Sequence, residues 1–285
     1  MKILVPTDFS TLSRVAAIYA VELAKAMKAK VILLSVINIE ATSSTLLNWR
    51  KLEKVMIDLA LEEADQLMKE IKKQVKGDYN FSFKYVQGYP VEAAIEKFAK
   101  ANKIDLIVMG TKGASGLKKV LLGSNAAAVI NHSSVPVLSV PGDAVFRPVK
   151  NMVYASDIVH LKDEVKLLVK YAKLFNAAVH VLHVVPNTFV KPIDEQSASA
   201  DLVKVSGYKK MNFVVIKSEQ VAGGVEAFVA KSKPEMLIMF THKVDIYEKL
   251  FGKSVTRQLA FHNKVPLLTF NKGLMAKKVK TVRAK

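Results

Sequence analysis

KILVPTDF (Lys2–Phe9) lies over NMVYASDI (Asn151–Ile158) without a gap, apolar residue over apolar residue and Asp8 over Asp157. VILLSVIN (Val31–Asn38) lies over VHVLHVVP (Val179–Pro186) in the same way. Further on, residues 110–140 lie over 240–270 at a constant offset of 130, with Thr111/Thr241, Lys119/Lys249, Ser124/Ser254 and His132/His262 identical. The pairs Val135-Pro136 and Val265-Pro266 also match. The same pieces in the same order at near-constant spacing indicate a duplicated domain. Two prolines and a glycine in PGDAVFRP (Pro141–Pro148) interrupt the pattern and mark the boundary. The chain is therefore read as one domain over residues 1–143, a second over 149–273, and a basic tail over 274–285.

Within the first copy, short apolar runs alternate with long amphipathic stretches. ILVPT is a buried strand, and Ser10 caps a helix that runs to about Lys28 with Val15, Ile18, Tyr19 and Leu23 at helical spacing. VILLSVI is β-branched and apolar on both faces, as a central parallel strand should be. A long helix is predicted over roughly 45–76. FSFKYV alternates aromatic and polar residues, the pattern of an edge strand with one covered face. VEAAIEKFAKAN is helical, DLIVM is a strand, 119–132 is a helix, and VPVLSV closes the domain. This alternation predicts an α/β protein with two tandem, doubly wound, Rossmann-like parallel sheets of strand order 3-2-1-4-5. The second copy is trimmed: about 26 residues separate its second and third strands, against about 43 in the first.

Composition narrows the class. Hydrophobic residues are 51% and charged residues 24%, the balance of an ordinary globular protein, and 285 residues suit two domains. There is no cysteine, which excludes disulfides and thiolate chemistry. The opening MKILVPTDFS is too short and too polar for a signal peptide, and no apolar run is long enough to span a membrane, so the expected location is cytoplasmic. Lys+Arg 43 against Asp+Glu 25 gives a net charge of +18, which raises nucleic acid, anionic lipid and polyphosphate ligands as partners. The lysines are scattered over helical segments with no aromatic-interleaved stripe, the pattern of a solvated surface.

In a doubly wound sheet, ligands bind beyond the carboxyl ends of the strands where the winding reverses. Asp8, Val36 and Gly110 each stand at such a strand end. In VMGTKGASGLKKVLLGSN (Val108–Asn125), Gly110 is expected to clear space for a ligand, and Gly113 to turn the chain so that its amides form an anion nest. Gly123 and Ser124 precede the helix SNAAAVINH, whose first amides and dipole favour phosphate. Asp8 has a carboxylate suited to a ribose hydroxyl or an adenine amino group, with Lys112, Lys118 and Lys119 supplying positive charge.

The spacing Gly110-x2-Gly113-x9-Gly123-Ser124 resembles the G-2x-G-9x-G-(S/T) signature of the ATP-binding branch of the universal stress protein family. The opening ILVPTDFS, the turn Gly88-Tyr89-Pro90 and the closing VPVLSV match as well. The resemblance covers the first half throughout and the second more loosely. It implies that Pro6, Thr7, Asp8 and Val36 line the adenosine of ATP. Met109, Gly110, Lys112 and Gly113 follow towards ribose and phosphates, and Gly123, Ser124 and Asn125 hold the phosphates, with or without Mg2+ bridging them. It also implies a pseudo-dimer in which the two domains pair through their last strands, with a homodimer beyond that left open.

At the same offset the second copy has Phe240, Lys243 and Lys253 in place of the three motif glycines, and keeps Ser254 and Asp157. It is expected not to bind ATP in the family manner. Gly252-Lys253-Ser254 is not a P-loop, because Tyr247 stands where that motif needs its first glycine. Five of the six histidines lie in the second half, and His183 and His242 align near Asp157, a lesser candidate for a metal or small-ligand site. His180 and His183 point to opposite faces of a strand and are poorly placed to share a metal. No spacing supports a catalytic set, so no catalytic residue is named, and hydrolysis of ATP is expected to be slow at most. The competing class is a non-nucleotide module that recruits a small molecule, lipid or acidic or nucleic-acid partner through its basic surface or its altered second pocket.

Overall fold

A computed structural model describes residues 1–38, 46–111, 124–241 and 265–271, with the backbone alone for 46–50, 124 and 132. The chain divides into two compact units, the first ending at Phe146 and the second beginning at Arg147.

The first unit runs β1 (Lys2–Pro6), α1 (Thr11–Met27), β2 (Lys30–Ile37), α2 (Leu46–Gln74), β3 (Asn80–Gln87), α3 (Val91–Ala101), β4 (Leu106–Thr111), α4 (Ser124–His132), β5 (Val137–Pro141). Its strands are all parallel in the order β3-β2-β1-β4-β5. The second unit runs β6 (Asn151–Ala155), α5 (Leu161–Phe175), β7 (Ala178–Val185), α6 (Glu195–Ser206), β8 (Met211–Lys217), α7 (Val221–Ser232), β9 (Met236–Thr241), β10 (Leu267–Asn271). It repeats the arrangement as β8-β7-β6-β9-β10. Both sheets are of the doubly wound α/β type.

Local chemistry sets the element ends. Ser10 caps α1 by accepting from the Ser13 amide, and Lys28 ends it in the left-handed region at φ 49°. Asn176 ends α5 the same way, at φ 53°. β1 is buried almost throughout, as a central parallel strand requires. The helix expected over 119–132 is described from Ser124 onward, and the remainder lies outside the described residues.

The winding reverses between β1 and β4. α1 packs with α2 on one face of the first sheet, and α3 packs with α4 on the other. Arg14 on α1 clamps α2 through Glu63 at 2.6 Å and Glu70 at 3.1 Å. On the other face, both oxygens of Glu96 on α3 accept from the Ser134 amide, at 3.2 and 3.1 Å, and Lys100 adds a contact at 2.8 Å. In the second unit, Ala222, Val225 and Val229 of α7 pack on Val153, Leu182, Leu237 and Leu267 of the sheet.

Candidate functional site

Where β1 ends, the Thr7 amide donates to the Leu34 oxygen at 2.8 Å, which extends the pairing with β2 by one step. The chain then folds on its own side chains. The Phe9 amide donates to Thr7 Oγ1 at 3.0 Å, and both the amide and the hydroxyl of Ser10 donate to Asp8 Oδ1, at 3.1 and 2.6 Å. Phe9 sits at φ 59° to allow this double turn. Burial alone would raise the Asp8 carboxyl, but the Ser10 hydroxyl and amide and the Ser13 hydroxyl outweigh it and hold the group below its ordinary value. Asp8 is therefore an anion with one oxygen fixed by its own turn.

This turn forms one rim of a cavity of about 450 Å3 at the carboxyl ends of β1, β2 and β4. Of the candidate residues, Pro6, Thr7, Asp8, Val36, Met109, Gly110 and Asn125 line it together. Ser124 is the first residue of α4, beside Asn125. Lys112, Gly113 and Gly123 lie outside the described residues. The wall also includes Leu34, Ser35, Val91 and Ile95, which sequence reasoning missed. Val91 and Ile95 stand four apart on α3, so their spacing reads as ordinary core. The cavity thus offers an apolar wall from three strands and α3, a fixed anion at one rim, and the first turn of α4 at another. A flat heterocycle, a hydroxyl and an anion each find a complementary surface there.

Gly110 has a different reason from the one expected. A Cβ at this position would stand 2.3 Å from the Leu12 main-chain oxygen and 2.6 Å from its carbonyl carbon. The missing side chain makes room for the first turn of α1, and Gly110 meets the cavity only as backbone. Gly142 is tight against the same residue, where a Cβ would fall 2.5 Å from Leu12 Cδ2.

The second unit repeats the three main-chain-donated bonds of the turn, without the hydroxyl bond that Ser10 adds in the first. Ser156 donates from its amide to Leu182, the Ile158 amide donates to Ser156 Oγ at 3.0 Å, and the Val159 amide donates to Asp157 Oδ1 at 3.0 Å. Even Ile158, a β-branched residue, is held at φ 61°. The surroundings differ. Phe240, the counterpart of Gly110, stacks on Phe270 with centroids 4.6 Å apart and meets Tyr154 edge-on at 5.4 Å. This aromatic set lies under α5, where Tyr171 also packs on Phe270, so Phe240 belongs to that core. Tyr154 donates to the buried Glu164, and burial first, then this bond, push the phenol well above its ordinary range.

His183 bonds to the Ser156 main-chain oxygen at 3.0 Å and stacks on Phe213, while His180 packs on Phe228. Among the described residues no group of three His, Asp or Glu could hold a metal ion. His242 and His262 lie outside them. A second cavity, of about 630 Å3, opens between the turn after β6 and α6, walled by Ile158, Val159, Leu202 and Phe213 with Asp163 and Asp201. Among the described residues, no helix is long and apolar enough to cross a membrane.

Comparison with known proteins matches residues 1–141 to the Universal stress protein family. Universal stress protein MJ0531 of Methanocaldococcus jannaschii is 34% identical over 142 residues, which is 49% of this chain and 81% of that protein. MJ0577 of the same organism is 38% identical over 154 residues, 49% of this chain and 93% of that protein. A crystal structure of a universal stress protein from Archaeoglobus fulgidus aligns over 95% of this chain and 98% of its own, with a TM-score of 0.71 at 20% identity. That likeness extends the fold over both units.

Proposed function

The chain belongs to the universal stress protein family, and from that premise we propose that its first unit binds ATP, with or without Mg2+, in the cavity at the carboxyl ends of β1, β2 and β4. The observation that carries this reading is the convergence of Asp8, Val36, Met109, Gly110 and Asn125, from four separate elements, on one cavity of about 450 Å3. The adenine ring would lie against the apolar wall of Val36, Val91, Ile95 and Met109. The oxygen of Asp8 not used by Ser10 would accept from a ribose hydroxyl or the amino group. The phosphates would meet the first amides of α4 and the glycine-rich segment from Lys112 to Gly123.

The second unit keeps the aspartate turn but has Phe240, Lys243 and Lys253 at the motif positions. It is a structural or regulatory half that does not take ATP in the same manner. Among the described residues that line the cavity none forms a catalytic set, and in this reading ATP acts as a ligand whose binding alters stability or conformation, with slow turnover at most.

The test is mass analysis of small molecules released from protein purified without added nucleotide. An adenine nucleotide released by wild type, and lost from Gly113→Val/Gly123→Val, supports the reading. Retention of DNA or RNA that falls steeply with salt, with no nucleotide binding, would replace it with a polyanion-binding module.

A further inference from the structure

Arg14 stands one turn into α1 and uses three nitrogens at once. Nη2 donates to Glu63 Oε2 at 2.6 Å and Nη1 to Glu70 Oε2 at 3.1 Å, both on α2. Nε donates to the Phe9 main-chain oxygen at 2.9 Å. The two carboxylates fix the plane of the guanidinium, and that plane aims Nε at the carbonyl. The carbonyl belongs to the Phe9–Ser10 peptide, whose own N–H donates to Asp8 Oδ1 at 3.1 Å. A cation bound to the oxygen of a peptide polarises it and strengthens its N–H as a donor, so the two bonds reinforce each other. Phe9 is held at φ 59°, a conformation that a non-glycine residue keeps only where its surroundings impose it. Arg14 ties that peptide to α2, and the peptide in turn ties Asp8.

The second unit shows the turn without this brace. At the offset that lays Asp157 over Asp8, the position of Arg14 is taken by Asp163. An ionised carboxylate has no hydrogen to give to the Ile158 carbonyl, and Asp163 meets Lys166 of its own helix at 3.9 Å. The Ile158 and Val159 amides still make their bonds. The turn therefore forms without an arginine. What Arg14 adds is fixation of the turn against a second helix, and it adds this in the unit whose cavity gathers Asp8, Val36, Met109, Gly110 and Asn125.

We propose that Arg14 is a positioning residue of the nucleotide site, setting Asp8 for its contact with ribose or adenine through the Phe9–Ser10 peptide, while Glu63 and Glu70 orient Arg14 itself. The proposal rests on the nucleotide reading of the cavity. Arg14 does not line that cavity, so it acts through Asp8 and not on the ligand.

Arg14→Lys tests it, because lysine keeps the charge but cannot serve Phe9 and two carboxylates in one plane. In nucleotide-free protein the Asp8 side-chain carbon, followed by NMR, should titrate at higher pH than in wild type. Affinity for ATP, measured by calorimetry, should fall about fivefold or more. Glu63→Ala/Glu70→Ala should weaken ATP as well, although removing two acids makes the protein more cationic and by itself favours ATP. Leu67→Ala opens the buried packing of α2 without touching Arg14. It should lower stability and leave the Asp8 titration and the affinity as in wild type. An Asp8 titration and affinity unchanged in Arg14→Lys, or an equal loss of affinity in Leu67→Ala, would overturn the proposal. A wild type that binds no ATP would remove the nucleotide reading. The Asp8 titration, taken without nucleotide, would still support or overturn the action of Arg14 on Asp8.

Discussion

Gly110 and Leu12 approach so closely that a Cβ on the glycine would stand 2.3 Å from the Leu12 oxygen. The end of β4 and the first turn of α1 are therefore in main-chain contact, and the turn carrying Asp8 leads directly into that helix. The position of Asp8 relative to the cavity depends on this contact.

Gly110→Ala should consequently act through the fold before it acts through any ligand. A methyl pushed against main chain costs about 1–3 kcal/mol. Chemical denaturation without nucleotide should show this loss in the first unit. An unchanged stability with lost ligand binding would return Gly110 to the role of clearing ligand space.

Phe240→Ala should destabilise the second unit, because it removes a ring stacked on Phe270 at 4.6 Å and edge-on to Tyr154. A loss of about 3 kcal/mol is expected from the cavity left behind. It should not create an ATP site, since the motif glycines stay absent; titration of the variant with ATP checks this.

Ser10→Ala removes both the cap of α1 and the hydroxyl bound to Asp8. Loss of the cap costs about 1 kcal/mol, readable as a lower thermal midpoint. With the Ser10 hydroxyl gone, the Asp8 carboxyl should titrate at higher pH than in wild type, observable by NMR of its side-chain carbon.

Glu96 gives a pH dependence of defined sign. Burial would raise its carboxyl, but Lys100 and the Ser134 hydroxyl and amide hold it below its ordinary value. A carboxyl lowered by folding stabilises the protein above its unfolded value of about 4.3, and that contribution is lost as pH falls through the folded value. Glu96→Gln should thus be less stable than wild type at pH 7, with the gap closing below about pH 4.3. A gap that widens in acid would contradict the assignment.

The fold was legible because its signals are local and repeated. The runs ILVPT and VILLSVI can hardly be anything but buried strands, and the second copy repeats their order. Asp8, Val36 and Gly110 could be placed together because strand ends at a reversal of winding are forced to converge. The reason for Gly110 was not legible, since it lies in a tertiary contact with Leu12 across the sheet. The packing of Phe240 was not legible either, because its partners Phe270 and Tyr154 come from two other strands. The engagement of Asp8 by Ser10 was available, because Asp-x-Ser after a strand is a turn signal. Val91 and Ile95 carry no mark in the sequence that separates a cavity wall from core.

Calorimetric titration with ATP tests the central claim most directly, on wild type beside Gly113→Val/Gly123→Val and Asp8→Ala. Saturable binding at a single site per chain is predicted, with at least roughly tenfold weaker affinity, or 1.4 kcal/mol, in each variant. No heat of binding in nucleotide-free wild type, or equal affinity in all three proteins, would contradict it.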